Sequence, residues 1–249
     1  MRYVMLFLCI WATACNKPAS GSRQNTETAA ETTPSQSAEP DTTPAAPETT
    51  QTKDVLYYYR TLEAPFATEY PLQESKGKWV CLSPSTSEPL EDIVVDLNNG
   101  FIQIVDPGTG GGDWTIQCVL FRMANGAPVL GLSKTFFDGT GIRQDIHILR
   151  PEDARRRDWT DYALPKIDGF SFLRDDSAEE EEIVHQLLPV TIELPRYGTT
   201  AKAKVYTGLQ DLYCRGGENE FSDYCGLFQQ VRRAEILLKW NKEQGKFVQ

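Results

Sequence analysis

The stretch from Asp92 to Leu149, DIVVDLNNGFIQIVDPGTGGGDWTIQCVLFRMANGAPVLGLSKTFFDGTGIRQDIHIL, decides the fold. Asn99-Gly100, Asn125-Gly126 and Asp138-Gly139 are hairpin-turn dipeptides, each set between runs rich in Val, Ile, Leu, Phe and Thr, so the stretch reads as one β-meander. A two-residue turn at Asn99-Gly100 pairs Asn98 with Phe101, Leu97 with Ile102, Asp96 with Gln103 and Val95 with Ile104. Alternation then puts Val95, Leu97, Ile102 and Ile104 on one face. The second hairpin is apolar on both faces, with Val119, Phe121, Leu130 and Leu132 expected on one and Ile116, Leu120 and Val129 on the other. Its strands are therefore central and covered on both sides. From Ile142 to Leu149, Ile142, Ile146 and Ile148 point inward, and Arg143, Asp145 and His147 outward.

Upstream, one early cation, Arg2, precedes an apolar run from Tyr3 to Trp11 and the small residues Ala12-Thr13-Ala14. Residues 1–14 are thus a signal peptide, too short to span a bilayer. Ala12-Thr13-Ala14-Cys15 resembles the lipobox of bacterial lipoproteins, whose cysteine becomes the lipidated first residue. It departs from that pattern at Ala12, where a branched aliphatic is usual, and Ala12-x-Ala14 also suits ordinary signal peptidase. Cysteine parity favours lipidation at Cys15: of six cysteines, Cys9 leaves with the signal and four remain beyond the anchor, an even number for an oxidising compartment. Residues 15–52 are rich in Thr, Pro, Ser, Ala and Glu without an aromatic, and so predict a disordered tether. At about 30 to 35 Å of reach, it would hold a domain away from a membrane. Asn16 after the cysteine, with no acidic cluster behind it, resembles outer-membrane lipoproteins that face the periplasm.

The remainder divides into a β-rich region with a helix, 53–168, and an α+β region, 169–249, which can also be one continuous domain. Asp54 to Leu62 predicts a helix capped by Asp54 and covering the sheet, its Tyr57-Tyr58-Tyr59 cluster serving the core. Trp79 to Leu82 reads as a strand, and Phe170 to Leu173 as a strand or turn. Ser177 and Glu180 stand in capping-box spacing at the start of a helix running to Leu188. Val190 to Leu194, Thr199 to Tyr206 and Ala234 to Trp240 read as strands, the last turning through Lys242 to Gly245 into Lys246 to Val248. Four cysteines permit three pairings; proximity in the chain favours Cys81 with Cys118 and Cys214 with Cys225. The second bridge would pin a loop carrying Glu218, Glu220, Phe221 and Tyr224, a candidate recognition surface.

Composition narrows the function. The net charge of −10, without a basic stripe, argues against nucleic acid as a partner. Gly108-Thr109-Gly110-Gly111-Gly112 is followed by a strand rather than by a helix N-terminus, so it is a poor phosphate cradle. Gly131-Leu132-Ser133 lacks the second glycine of a nucleophile elbow. Glu179 to Glu182 lack the loop spacing of a calcium site. No metal ligands or cofactor site are assigned, and no catalytic residue; Asp145 and His147, sharing a strand face, are the place an enzyme site would be sought.

The early LYYYRTL helix, the DLNNGFIQIV and FRMANGAPVLGLSKTFFDG hairpins, Leu164-Pro165, LPRYGTT and the closing LLKWNKEQGKF together resemble uncharacterised lipoproteins of Bacteroidota-type bacteria. That resemblance implies an address and an architecture, with no activity or catalytic residue to carry over. The resulting expectation is an α+β domain of antiparallel β-meander sheets with a few covering helices, behind a disordered tether. Its expected role is a non-catalytic binding or accessory module of the envelope, anchored to the outer membrane through Cys15. It would contact an envelope protein or glycan through a sheet edge and the Cys214 to Cys225 loop. A hydrolase of an envelope polymer and a periplasmic enzyme inhibitor are the alternatives.

Overall fold

Asp54 sets the first element: its carboxylate accepts the Tyr57 N–H at 2.8 Å and caps helix α1, Val55–Arg60. The computed structural model describes residues 53–153, 157–174, 181–214 and 224–249; the expected signal peptide, Cys15 and the expected tether lie outside them, as does the expected Ser177–Glu180 capping box. Strands β1, Gln73–Ser75, and β2, Lys78–Val80, form a small hairpin. The meander follows as β3 Asp92–Asp96, β4 Phe101–Asp106, β5 Asp113–Arg122, β6 Pro128–Phe137 and β7 Ile142–Leu149, antiparallel and in chain order. Next come α2, Thr160–Ala163, a 3-10 turn at Gly169–Phe172, and α3, Glu181–Leu187. Strands β8 Val190–Glu193, β9 Thr200–Val205, β10 Glu235–Asn241 and β11 Lys246–Val248 form a second antiparallel meander, with α4 Leu209–Cys214 and α5 Cys225–Gln229 between β9 and β10. This is the α+β arrangement of antiparallel sheets with short covering helices.

The first two turns are longer than two residues, and the registers change accordingly. Asp96 pairs with Phe101, Val95 with Ile102, and Ile93 with Ile104. Leu97 to Gly100 is thus a four-residue loop, held by Asp96 accepting from Asn99 N and Nδ2 at 3.2 and 2.9 Å, with Gly100 at φ +64. A two-residue slip preserves faces, so Val95, Ile102 and Ile104 still point together. At the second turn the outcome differs. Met123 N–H bonds Ala127 O at 2.9 Å, leaving a three-residue loop with Gly126 at φ +82. Leu120 pairs with Leu130, Cys118 with Leu132 and Phe121 with Val129. Leu130 and Leu132 therefore share a face with Ile116 and Leu120, the reverse of the expected assignment. Because both faces are apolar, hydrophobicity does not choose between the registers and the turn decides.

The five-stranded sheet carries a core on each face. On one side Ile102, Ile104, Ile116, Cys118, Leu130 and Leu132 pack under Val55, Tyr58 and Tyr59 of α1 and under Phe66, Tyr70 and Leu72. On the other, Phe101, Val119, Phe121 and Ile148 meet the second sheet and the residues of α3 and α5, around a fully buried Phe172. That second core joins residues on both sides of Asp168, and all the described residues fall in one compact unit. Each fully buried Leu or Ile contributes about 2 kcal/mol. Phe121, Trp240 and Phe247 form an aromatic triangle with centroids 5.0 to 5.3 Å apart, and Trp240 Nε1 donates to Arg122 O at 3.1 Å. Gly131 sits where β8 descends; a Cβ there would lie 3.2 Å from both Leu194 and Phe121.

The junction of the sheets is polar. β8 is an edge strand, and its free side is met by glutamines from the facing sheet. Gln144 Oε1 accepts Ile192 N–H at 2.6 Å while its Nε2 donates to Ile192 O at 2.9 Å. Gln117 Oε1 accepts Leu194 N–H at 3.1 Å and its Nε2 donates to Gln103. Exposed edges invite further strands, and here side-chain amides close one.

Candidate functional site

Asp106 ends β4 immediately before Pro107 and the glycine-rich segment, and it is 2% exposed. A buried carboxylate requires donors. Its Oδ2 accepts from Tyr70 OH at 3.1 Å and Ser83 Oγ at 2.8 Å, and its Oδ1 from Gly108 N–H at 2.9 Å. One side chain thereby ties together three connections that converge at this end of the sheet. Burial, and then the bond to Asp106, push the Tyr70 hydroxyl pKa well up.

These connections wall a cavity of about 650 Å³, within the range of small-ligand pockets. One wall is the glycine-rich loop, folded so closely that a Cβ on Gly108 would lie 2.5 Å from Gly112 O, and one on Gly112 2.4 Å from Phe137 O. Opposite run Pro65 to Tyr70 and Pro84-Ser85. The floor is the sheet itself: Trp114 of β5 is paired with Phe136 of β6, their rings tilted with centroids 4.7 Å apart, and Trp114 remains 40% exposed. Lys134 is one step along the same face, its Nζ 3.4 Å from Ala67 O, and Glu69 stands on the wall. Among the described residues Lys134 makes no ion pair.

Asp145 and His147 do come together. His147 Nε2 lies 3.0 Å from Asp145 Oδ1, and a third group joins them, Asp158 Oδ2 at 3.4 Å from Nδ1. Nδ1 itself is buried and makes no well-formed hydrogen bond. His147 is not on a solvated face: Phe66 lies edge-on to it at 4.9 Å, within the cover of the first core. Burial works to raise the Asp158 pKa, but bonds from Thr160 Oγ1 and N–H and the nearby His147 outweigh it and hold the carboxyl below its usual range. Thr160 Oγ1 also accepts Ile148 N–H, and so is fully engaged. No Ser, Thr or Cys side chain among the described residues hydrogen-bonds to His147. A smaller hollow of about 370 Å³ lies beside α1. There Glu152 accepts from Lys53 Nζ and Tyr58 OH, both at 2.9 Å, which lowers its pKa; burial and then this bond push Tyr58 up to about 12.

Cys214 and Cys225 are disulfide-bonded, closing α4 to α5. The expected Cys81 to Cys118 bridge is not formed: both are free and buried, in the core beneath α1. Sharing a sheet region in sequence did not make them partners, because Cys118 points from mid-β5 into the packed face while Cys81 follows β2. Burial raises both thiol pKa values. Of the loop between Cys214 and Cys225, Glu218, Glu220 and Phe221 lie outside the described residues. Tyr224 is half-buried against the inter-sheet core rather than presented to solvent.

Trp114, Phe136, Lys134, Asp106, Glu69 and Tyr70 were not singled out from the sequence. Asp106-Pro107-Gly108 carries an Asx-turn signal that points to a structured loop. Nothing local connects it to Tyr70, 36 residues earlier.

No protein-family model matches the chain, and no curated protein does. Among solved structures it is similar to a domain of an uncharacterised protein from Porphyromonas gingivalis W83, at 13% identity and a TM-score of 0.45, covering 73% of this chain and 79% of that one.

Proposed function

We propose that the chain is a bacterial lipoprotein, anchored through Cys15 to the periplasmic face of the outer membrane, whose domain is a non-catalytic binding module for an envelope component. The cavity at the end of the five-stranded sheet carries the reading. It offers an aromatic pair and polar walls, while both oxygens of its deepest carboxylate are held by internal donors. Asp106 accepts three internal hydrogen bonds and so serves to hold the walls together. The apolar N-terminal run and the Thr- and Pro-rich segment after Cys15 support the address. The Cys214–Cys225 bridge fits an oxidising compartment.

The test is a crosslinking pull-down from native membranes with the full-length chain, its Cys15→Ala form and its Trp114→Ala form. A component retained by the first and lost with Trp114→Ala supports the module. A chain that turns over an envelope polymer, with activity lost on His147→Ala, overturns it in favour of the enzyme reading. The placement of His147 between two carboxylates is the observation that favours that second reading.

A further inference from the structure

We propose, resting on the binding-module reading above, that the cavity takes an uncharged saccharide ring stacked on Trp114. Three observations converge. The indole is 40% exposed within the cavity and is braced from beside by Phe136 at 4.7 Å, so a flat apolar surface is held in place before any ligand arrives. Such a surface suits the C–H face of a pyranose, which is apolar and too large for a single aliphatic side chain to cover.

The polar groups around it have mixed character. Lys134 is a donor without an ionic partner among the described residues, Glu69 an acceptor on the opposing wall, and Ser85, Thr68 and Thr109 serve as either. Vicinal hydroxyls need both donors and acceptors at the rim of the ring. Charge argues for neutrality. Asp106 is bonded to Tyr70, Ser83 and Gly108, and the two remaining ionic groups, Lys134 and Glu69, are of opposite sign. An anionic ligand would meet Glu69 and the charge of Asp106, and a cationic one would meet Lys134.

The experiment is ligand titration of the soluble domain, 53–249, followed by saturation-transfer NMR and tryptophan fluorescence. The panel contains cellotetraose, maltotetraose and chitotetraose, a uronic-acid tetrasaccharide, and a simple aromatic carboxylate. The domain is compared with Trp114→Ala, Lys134→Gln and Glu69→Gln, each checked for native circular dichroism. Binding of at least one neutral tetrasaccharide, with ring C–H protons saturated and affinity reduced tenfold or more by Trp114→Ala, is the expected result. Lys134→Gln and Glu69→Gln are expected to weaken it severalfold each.

Preference for the uronic acid or the aromatic carboxylate, abolished by Lys134→Gln, overturns the neutral-sugar assignment and leaves the binding module intact. So does failure of every saccharide while the membrane pull-down still retains a protein through Trp114. Failure of the panel together with an empty pull-down removes both readings.

Discussion

The side-chain amide of Gln144 makes the two hydrogen bonds to Ile192 that a neighbouring strand would make, accepting from its N–H at 2.6 Å and donating to its carbonyl at 2.9 Å. The same Nε2 lies 2.9 Å from Ser133 Oγ, a buried hydroxyl. Gln144→Leu leaves the Ile192 N–H and carbonyl without the amide and is expected to cost about 3 kcal/mol in urea unfolding. It also bares the edge of β8, so light scattering is expected to show self-association. Gln144→Glu keeps the acceptor but turns a carboxylate toward the Ile192 carbonyl. Its destabilisation is expected to ease as pH falls and the acid regains a proton to donate.

Asp106 links the cavity walls through three donors. Asp106→Ala is expected to lose about 3 kcal/mol or more, since it strands buried hydroxyls as well as removing a charge-assisted acceptor. Tyr70→Phe removes one of the three bonds and is expected to cost about 1 kcal/mol. Thermal unfolding of the pair separates the hub from a single spoke.

Gly112 occupies φ +138 with no space for a Cβ, which would lie 2.4 Å from Phe137 O and 2.7 Å from the Phe136 ring. Gly112→Ala is expected to destabilise by about 2 kcal/mol or more and to lift the loop from the aromatic pair. A change in Trp114 emission reports the second effect. Gly110→Ala, with open space around it but φ +89, is expected to cost less and leave the emission unchanged.

Acid stability follows from several depressed carboxyls. Asp138 is lowered by backbone N–H groups of Gly141 and Thr140, Asp96 chiefly by Asn99, and Glu152 chiefly by Lys53. In Asp158, bonds from Thr160 and His147 outweigh burial. A folded-state pKa below the unfolded one contributes stability that is complete above the unfolded value and disappears as pH falls through the folded value. Stability is therefore expected to hold down to about pH 4.5 and then decline, with a flatter decline in Asp158→Asn. Denaturant midpoints between pH 2 and 6 check the slope.

The cysteines are expected to divide cleanly in a thiol assay of the domain 53–249. Cys81 and Cys118 are buried with raised pKa values and should resist an aromatic disulfide reagent in the native state, then react as two equivalents after denaturation. Reducing Cys214–Cys225 is expected to lower stability by about 2 to 3 kcal/mol, the loop-entropy value for a short ring.

What was legible in the sequence followed from local chemistry. Asp54 announced its helix, the meander its strands, and Lys242 to Gly245 the closing hairpin, because caps, alternation and turn residues act over a few positions. Register was less legible. Asp96 captures Asn99 and lengthens the first loop by two residues, while Met123 bonds Ala127 and lengthens the second by one, to an odd number. The apolar pattern of β6 accepts either face inward, so nothing in Leu130 or Leu132 signals which. The helices flanking the disulfide were hidden by their brevity, and β1, all exposed, has no hydrophobic signature. The cavity depends on Tyr70, Asp106 and Trp114 meeting from separate segments, information that exists only once the sheet has formed.

Both large sheets run in chain order, so every strand after the first of its sheet pairs with the strand before it in the chain. A chain delivered from its N-terminus can zip the first meander locally, with short searches between partners, while in the second β9 must find β10 across α4 and α5. Gln144 must wait 48 residues for Ile192, and Gln117 waits 77 for Leu194. Until β8 arrives, the glutamine stripe of the first sheet keeps the face awaiting it wettable.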